Sequence, residues 1–167
     1  MPERPAIYLY TDGASRGNPG PGGYGIVMRC GSYEREFSGG FRCTTNNRME
    51  LLAVIEGLRK INWDRATVYV TSDSSYVVNA INKGWLQGWV RKGFRKVANP
   101  DLWRELMPLL DKHNVSFFWV HGHNGHPENE RCDRLAVAAG QGAVERGEAL
   151  PPDEGYEALR AQDPTLI

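Results

Sequence analysis

The sequence lacks several features that would assign it to a specialised class of protein. It has only 3 cysteines in 167 residues and no C-x-x-C spacing, which argues against a disulfide framework and predicts reduced thiols in packing roles. No apolar run approaches the roughly 20 residues that span a bilayer, so we expect no membrane helix. The N-terminal stretch MPERPAIYLY carries charges and two prolines where a secretory signal needs apolar residues, and a cytoplasmic protein is therefore expected.

Net charge is a further missing signal. The 20 basic and 20 acidic residues cancel, so only the distribution of charge can indicate a polyanionic partner. Residues 74–100 contain no acid, and within them lie the bases Lys83, Arg91, Lys92, Arg95 and Lys96. This segment is either a solvated face or a surface for nucleic acid.

The order of the predicted elements indicates one α/β domain. Strands are predicted over residues 6–11, 24–30, 33–41, 66–72 and 115–120, and helices over residues 46–60, 74–83, 100–112 and 128–146. We therefore predict a five-stranded mixed sheet flanked by helices. The expected domain covers residues 1–148, and residues 149–167 form a C-terminal tail that lies on the domain or leaves it.

Three local expectations accompany this fold. The glycine-rich segment after residue 11 predicts a turn, which would place Asp12 at the end of a strand. Asn99 and Pro100 provide an N-cap and a first-turn proline for the fourth helix. Pro108 lies inside that helix and should kink or shorten it.

Four acids stand at the junctions of these elements: Asp12, Glu50, Asp73 and Asp133. Strand ends of an open α/β sheet meet at one crevice, so carboxylates there converge and repel one another unless a cation neutralises them. An oxygen-only ligand set selects Mg²⁺ or Mn²⁺. From spacing alone, ordinary capping of helix starts remains an alternative.

Four longer motifs carry these acids: YTDGASRGNPGPGGYG, TTNNRMEL, TSDSSYV and GHNGHPENERCDRLA. In this order, and over most of residues 6–140, they resemble the hallmark segments of the ribonuclease HI family. The resemblance implies the ribonuclease H-like fold and an endonuclease that cuts the RNA strand of an RNA–DNA hybrid. It also implies a monomer and products with 5′-phosphate and 3′-hydroxyl ends.

The resemblance assigns catalytic roles as well. Asp12, Glu50, Asp73 and Asp133 would bind two Mg²⁺ ions, with Mn²⁺ as a possible substitute, one ion activating a water and the other stabilising the leaving 3′ oxygen. His123 would assist proton transfer or product release. A zinc site built from the histidines of this loop and Cys132 is the alternative, but the spacing fits no common zinc pattern.

The resemblance also names residues that would contact substrate. Those expected in the minor groove, where the 2′-hydroxyl distinguishes RNA, are Gly13, Ser15, Asn18, Asn46 and Asn47. Thr45 and Asn99 match a pocket for a phosphate of the DNA strand. The basic handle that grips this strand would use Trp85, Trp89, Lys92, Arg95 and Lys96.

The sequence departs from the family pattern at three places. Ser75 stands where the family often has glutamine, and Cys43, next to Arg42, stands where some members have arginine. The handle is shorter and less basic than in well-known members, which predicts weaker hybrid binding. Two other functions stay open: another nuclease of the same superfamily, or a catalytically silent hybrid-binding module.

Overall fold

The computed structural model describes residues 4–122 and 125–163. Five strands form one sheet: β1 (Ile7–Ser15), β2 (Gly20–Cys30), β3 (Tyr33–Thr44), β4 (Thr67–Ser72) and β5 (Asn114–Trp119). Their order across the sheet is β3-β2-β1-β4-β5. The first three strands pair in antiparallel fashion, and β1, β4 and β5 pair in parallel. The predicted mixed sheet of five strands is confirmed.

Helices flank this sheet. They are α1 (Asn46–Arg59), α2 (Ser75–Asn82), α3 (Trp85–Arg91), α4 (Pro100–Lys112), α5 (Pro127–Ala139), α6 (Gln141–Glu145) and α7 (Glu154–Gln162). Across the described ranges, no helix combines the length and the apolar character that a bilayer crossing requires.

The main core lies between the sheet and α1. Leu9 and Ile26 of the sheet and Leu51, Val54 and Leu58 of α1 are fully buried in it. Buried apolar surface of this kind is the dominant stabilising contribution in a domain of this size. Because side chains alternate along a strand, the neighbours of Leu9 and Ile26 face the opposite side of the sheet.

On that opposite side, α5 lies unusually close to the sheet because β2 and β3 present glycines there. A Cβ atom on Gly25 would lie 2.1 Å from the carbonyl oxygen of Cys132, and one on Gly23 would lie 2.5 Å from that of Ala136. Gly40 is equally constrained, with 2.0 Å to the oxygen of Ala139. Only glycine allows the two backbones to approach this closely.

These glycines also explain why the strand predicted over residues 6–11 ended too early and the strand predicted over residues 24–30 began too late. β1 runs on to Ser15, and β2 starts at Gly20. The turn is confined to residues 16–19, where the peptide bond between Asn18 and Pro19 is cis. Much of the glycine-rich segment serves contact between sheet and helix, so its composition was a misleading turn signal.

Three helical predictions were also inexact. The helix predicted over residues 128–146 divides at Gly140, whose absent Cβ would lie 2.4 Å from the backbone carbon of Gly22. Pro108 does not end α4, which continues to Lys112 with Trp103 and Leu106 buried. The segment after Gly84, where no helix was predicted, contains α3.

The C-terminal segment lies on the domain through α7. Asp153 caps this helix by accepting a hydrogen bond from the backbone N–H of Tyr156, at 3.1 Å. The side chain of Tyr156 is 1% exposed, and Leu159 is also buried. α7 is therefore part of the packed structure.

We predict that Gly25→Ala destabilises the protein, because its methyl group would push α5 away from β2. A loss of about 1–3 kcal/mol or more in the free energy of unfolding is expected, as for other overpacked sites. Chemical denaturation measures this loss. Gly88→Ala is the matched control, since the nearest atom to its Cβ is Arg91 Nη2 at 4.0 Å and alanine favours helices. Equal stability of the two variants would contradict the close-approach argument.

Candidate active site

The parallel pairing of β1 with β4 places two acids side by side. The last paired residues of this ladder are Thr11 and Ser72, so Asp12 and Asp73 follow at the same edge of the sheet. Asp12 itself still pairs with Gly25 of β2, and its side chain is on the face that α5 covers. It therefore lies where the parallel pairing ends, within the longer strand β1.

Helix α1 brings the third acid, Glu50. Its start is fixed by Thr45, whose hydroxyl accepts the backbone N–H of Arg48 at 3.3 Å. The backbone N–H of Gly13 donates to Oδ1 of Asp12 at 2.8 Å and also to Oε1 of Glu50. A Cβ atom on Gly13 would lie 2.4 Å from the backbone nitrogen of Glu50, so glycine is needed for this contact.

Together, Asp12, Glu50 and Asp73 form a compact cluster in which one oxygen from each lies within 4.8 Å of the others. The fourth acid, Asp133 of α5, lines the same cleft without joining that cluster. Its charge nevertheless raises the pKa of Asp12. The structure thus brings three of the four predicted acids together and places the fourth at the cleft wall.

Burial makes this cluster electrostatically unfavourable when no cation is bound. Asp12 is 6% exposed and Glu50 is 7% exposed. Desolvation, with the charges of Asp73 and Asp133, raises the pKa of Asp12 to about 7, although its hydrogen bonds with Glu50 and Gly13 lower it. Desolvation and the nearby charge of Asp12 raise the pKa of Glu50 well above its usual value. A bound cation would relieve both effects.

The donor set fits a hard divalent cation. All three clustered ligands are carboxylates, and within the described ranges no other group of three His, Cys, Asp or Glu residues is suitably placed for a metal. Cys132, part of the zinc alternative, is buried, and its thiol lies 3.2 Å from the carbonyl oxygen of Tyr10. Oxygen ligands favour Mg²⁺ or Mn²⁺ over zinc.

The predicted minor-groove residues form a connected rim beside the carboxylates. Oδ1 of Asn46 accepts the backbone N–H of Ser15 at 2.7 Å and its hydroxyl at 3.1 Å. The backbone N–H of Asn46 in turn donates to Oδ1 of Asn18 at 3.1 Å. Asn47 and Gly13 line the cleft itself.

The predicted phosphate pocket is partly closed. Thr45 and Asn99 are both buried, and Asn99 is only 1% exposed. Asn99 occupies the N-cap position of α4, as predicted, but its backbone is left-handed and its side chain does not cap the helix. Instead, its Oδ1 accepts a hydrogen bond from Arg48 Nη1 at 3.3 Å.

The predicted handle forms a separate basic hollow. Lys92, Arg95 and Lys96 line it together with Arg91 and Trp89, and no acid does. Trp89 also packs edge-on against Trp103 at 5.2 Å between ring centroids, so it serves the core as well.

Trp85 differs from Trp89 in its exposure. It is 43% exposed, and the ammonium of Lys83 lies 5.7 Å above its ring. Of the two predicted handle tryptophans, Trp85 therefore presents more of its ring to a ligand.

The histidine loop is described only in part. His123 lies outside the described residues, and the prediction for it stays a prediction. His126 is the N-cap residue of α5, with no hydrogen bond from its side chain to the helix. His121 packs against Trp119 at 4.4 Å, and the indole of Trp119 donates to the backbone oxygen of Asp73.

Sequence reasoning missed two residues that support the site. Gly25 lets α5, which carries Asp133, pack closely against β2. Arg48 is buried under the first turn of α1. An arginine two positions before Glu50 in an apolar-rich helix was a usable signal, because a buried charge must be paired.

Comparisons with known proteins agree with this geometry. The RNase H family model matches residues 4–141. The curated Ribonuclease H of Nitratidesulfovibrio vulgaris is 54% identical over 157 residues, covering 91% of this chain and 97% of that relative. Ribonuclease H of Desulforamulus reducens is 57% identical over 138 residues, covering 80% of this chain and 86% of that relative.

Solved structures show the same fold. LC9-RNase H1, described as a type 1 RNase H with the type 2 active-site motif, matches with a TM-score of 0.77 at 31% identity, covering 99% of this chain and 85% of that one. LC11-RNase H1, solved in complex with an RNA/DNA hybrid, matches with a TM-score of 0.59 at 26% identity, covering 83% and 99%.

The mixed sheet and its carboxylate cluster, with these matches, define a hydrolase of the nuclease class. The chain belongs to the ribonuclease H family.

We predict that binding of Mg²⁺ at pH 7 releases a proton from the cluster. Because the pKa of Asp12 is raised to about 7, a proton remains on the cluster near and below this pH, and a cation must displace it. Affinity should therefore fall as the pH is lowered from about 8 to about 6.

Isothermal titration calorimetry in two buffers of different ionisation enthalpy measures this release. Glu50→Gln is expected to reduce it, since the coupled carboxyl is removed. An apparent enthalpy that is the same in both buffers would contradict the prediction.

Proposed function

We propose that this protein is an endonuclease that hydrolyses the RNA strand of RNA–DNA hybrids and leaves 5′-phosphate and 3′-hydroxyl ends. The observation that carries the proposal is the cluster of Asp12, Glu50 and Asp73 within 4.8 Å of one another, beside a rim of hydroxyl and amide groups. Carboxylates alone would repel a polyanion, so this combination requires cations. The family expectation of a monomer acting in the cytoplasm belongs to the same proposal.

Asp12, Glu50, Asp73 and Asp133 are the residues that would hold two Mg²⁺ ions, with Mn²⁺ as a substitute. When bound, such ions lower the pKa of water and offset the charge that develops on the phosphate and the leaving 3′ oxygen. The protein's own contribution includes the rigid placement of Asp12 and Glu50 through the backbone N–H of Gly13. His123 is assigned to proton transfer or product release.

The rim of the cleft supports recognition of RNA by its 2′-hydroxyl groups. Ser15, Asn18 and Asn46 are held by hydrogen bonds to one another, so they are ordered before substrate arrives. Hydroxyl and amide groups can both donate and accept, which suits sugar hydroxyls and base edges without selecting a sequence. Gly13 and Asn47 complete this proposed contact surface.

The DNA strand would be held by two further regions, the pocket of Thr45 and Asn99 and the handle with Trp85, Trp89, Lys92, Arg95 and Lys96. Salt should weaken binding at the handle, because its contacts are to phosphate. Ser75 and Cys43 provide shorter side chains than the family pattern has at these positions. The resulting proposal is a moderate affinity for hybrid.

The decisive experiment compares cleavage of an end-labelled RNA–DNA hybrid with cleavage of single-stranded RNA, duplex RNA and duplex DNA, with Mg²⁺ or with EDTA. We expect the wild type to cut only the hybrid and only with metal. Asp12→Asn should lower the rate by about two orders of magnitude or more, since it removes a charge from the metal cluster. Asp64→Asn is the matched control, because Asp64 is an exposed acid outside the cleft that pairs with Lys112 at 3.7 Å.

The alternatives predict other results in the same experiment. A silent hybrid-binding module would bind hybrid but cut nothing with either Mg²⁺ or Mn²⁺. Another nuclease of the superfamily would cut duplex DNA or single strands. An equal loss in Asp12→Asn and Asp64→Asn would show that the carboxylate cluster is not the catalytic site.

A further inference from the structure

Arg48 is buried beneath the proposed phosphate pocket with every donor engaged. A guanidinium has five N–H donors, and the side chain of Arg48 makes five hydrogen bonds. Two go to Asp101 (2.9 and 2.8 Å), two to Asp153 (2.8 and 3.1 Å) and one to Oδ1 of Asn99 (3.3 Å). The residue is 1% exposed, so Arg48 has neither a free donor nor a path to substrate. Its role must pass through its partners.

The partners join three separate parts of the chain. Arg48 lies in the first turn of α1, Asn99 and Asp101 lie at the start of α4, and Asp153 caps α7. The carboxylate of Asp153 also accepts a hydrogen bond from the hydroxyl of Thr44 at 2.6 Å, which fixes its position further. The family model that matches this chain ends at residue 141, so Asp153 lies beyond the matched region.

The bond to Arg48 dictates how the amide of Asn99 points. Arg48 offers only donors, so the oxygen of Asn99 must face it and the NH₂ group must face the other way. That NH₂ group lies 3.4 Å from the hydroxyl of Tyr76, which lines the cleft beside the carboxylates. Tyr76 also accepts the indole N–H of Trp103 at 3.0 Å. A continuous set of contacts therefore leads from Asp153 to the cleft wall.

Thr45 is tied to the same arginine, because its hydroxyl accepts the backbone N–H of Arg48. Both residues of the proposed phosphate pocket thus contact Arg48, Thr45 through its backbone and Asn99 through the guanidinium that Asp153 holds. Removing the charge of Asp153 would leave two buried N–H groups of Arg48 with weakened partners. Arg48 would then rearrange to satisfy them, since unpaired buried donors are costly.

From these contacts we infer that Asp153 is a positioning residue for binding of the DNA strand, acting through the guanidinium of Arg48 on Asn99 and, through Asn99, on Tyr76. The inference rests on the proposed function and adds to it a contribution from the C-terminal segment. No substrate contact is assigned to Asp153. It fixes the orientation of the Asn99 amide in the proposed phosphate pocket.

The test is steady-state cleavage of a hybrid with Mg²⁺ by wild type, Asp153→Asn and Glu157→Gln. We expect Asp153→Asn to raise KM by about three- to tenfold with little change in kcat, the size of coupling expected through one bridging residue. Glu157→Gln is the matched control, since it removes a charge from the same helix at an exposed pair with Arg42. It should behave as wild type.

A second readout separates positioning from a general loss of stability. Single phosphates of the DNA strand are replaced in turn by uncharged methylphosphonate, and hybrid binding is measured by fluorescence anisotropy in EDTA. At the position that contacts the pocket, replacement should weaken binding to wild type but not to Asp153→Asn. Thermal unfolding confirms that every variant is folded at the assay temperature.

The outcomes are distinct. The inference is overturned if the effects of Asp153→Asn and of each phosphate replacement on hybrid affinity multiply at every position. It is also overturned if Asp153→Asn changes only kcat. In both cases the proposed function stands. If wild type fails to cut the hybrid at all, the proposed function fails. In that case the anisotropy series still decides whether Asp153 affects binding to the DNA strand.

Discussion

The register between β1 and β4 is the constraint on which the site depends. In a parallel pair, the residues that directly follow two paired residues lie at the same edge of the sheet. Because Thr11 pairs with Ser72, Asp12 and Asp73 are neighbours. A shift of one residue would turn one of the two side chains to the other face of the sheet. The buried side chains Leu9 and Val70, on the core face of these strands, stabilise the correct register, so packing far from the cleft determines its chemistry.

The carboxylate cluster at this edge of the sheet is electrostatically unfavourable, and backbone contacts keep it rigid. Asp12 and Glu50 are desolvated, and within the described residues no cationic side chain forms an ion pair with either of them; the backbone N–H of Gly13 donates to both carboxylates. Glycines at positions 13 and 25 let α1 and α5 approach β1 and β2 closely enough to hold this arrangement. Stability elsewhere in the fold offsets the cost of this desolvated cluster, which a bound cation would relieve.

Much of this could be predicted from sequence, because apolar periodicity and strand-to-helix junctions are local features. The sheet, α1 and the position of the four acids followed from such patterns. The division at Gly140 could not be predicted, since it depends on contact with glycines more than a hundred residues earlier. The length of β1 was missed because its last residues pair with a glycine-rich part of β2 that resembles a turn in sequence. The burial of Asn99 could not be predicted from sequence either, because its hydrogen-bond partner, Arg48, lies in a different helix.

Charge pairing distinguishes two kinds of ionic group in this neutral chain. Arg48 is fully desolvated and fully paired, with both carboxylates bonded to it through two oxygens, so it contributes geometry and no net attraction for substrate. The clustered carboxylates have the opposite character, because no side-chain cation in the described part of the chain forms an ion pair with them. Under the proposed function, attraction for a nucleic acid would come from bound cations and from the basic hollow of Lys92, Arg95 and Lys96. Arg48 links α1, which carries Glu50, to the start of α4, which directly follows the segment that forms the hollow.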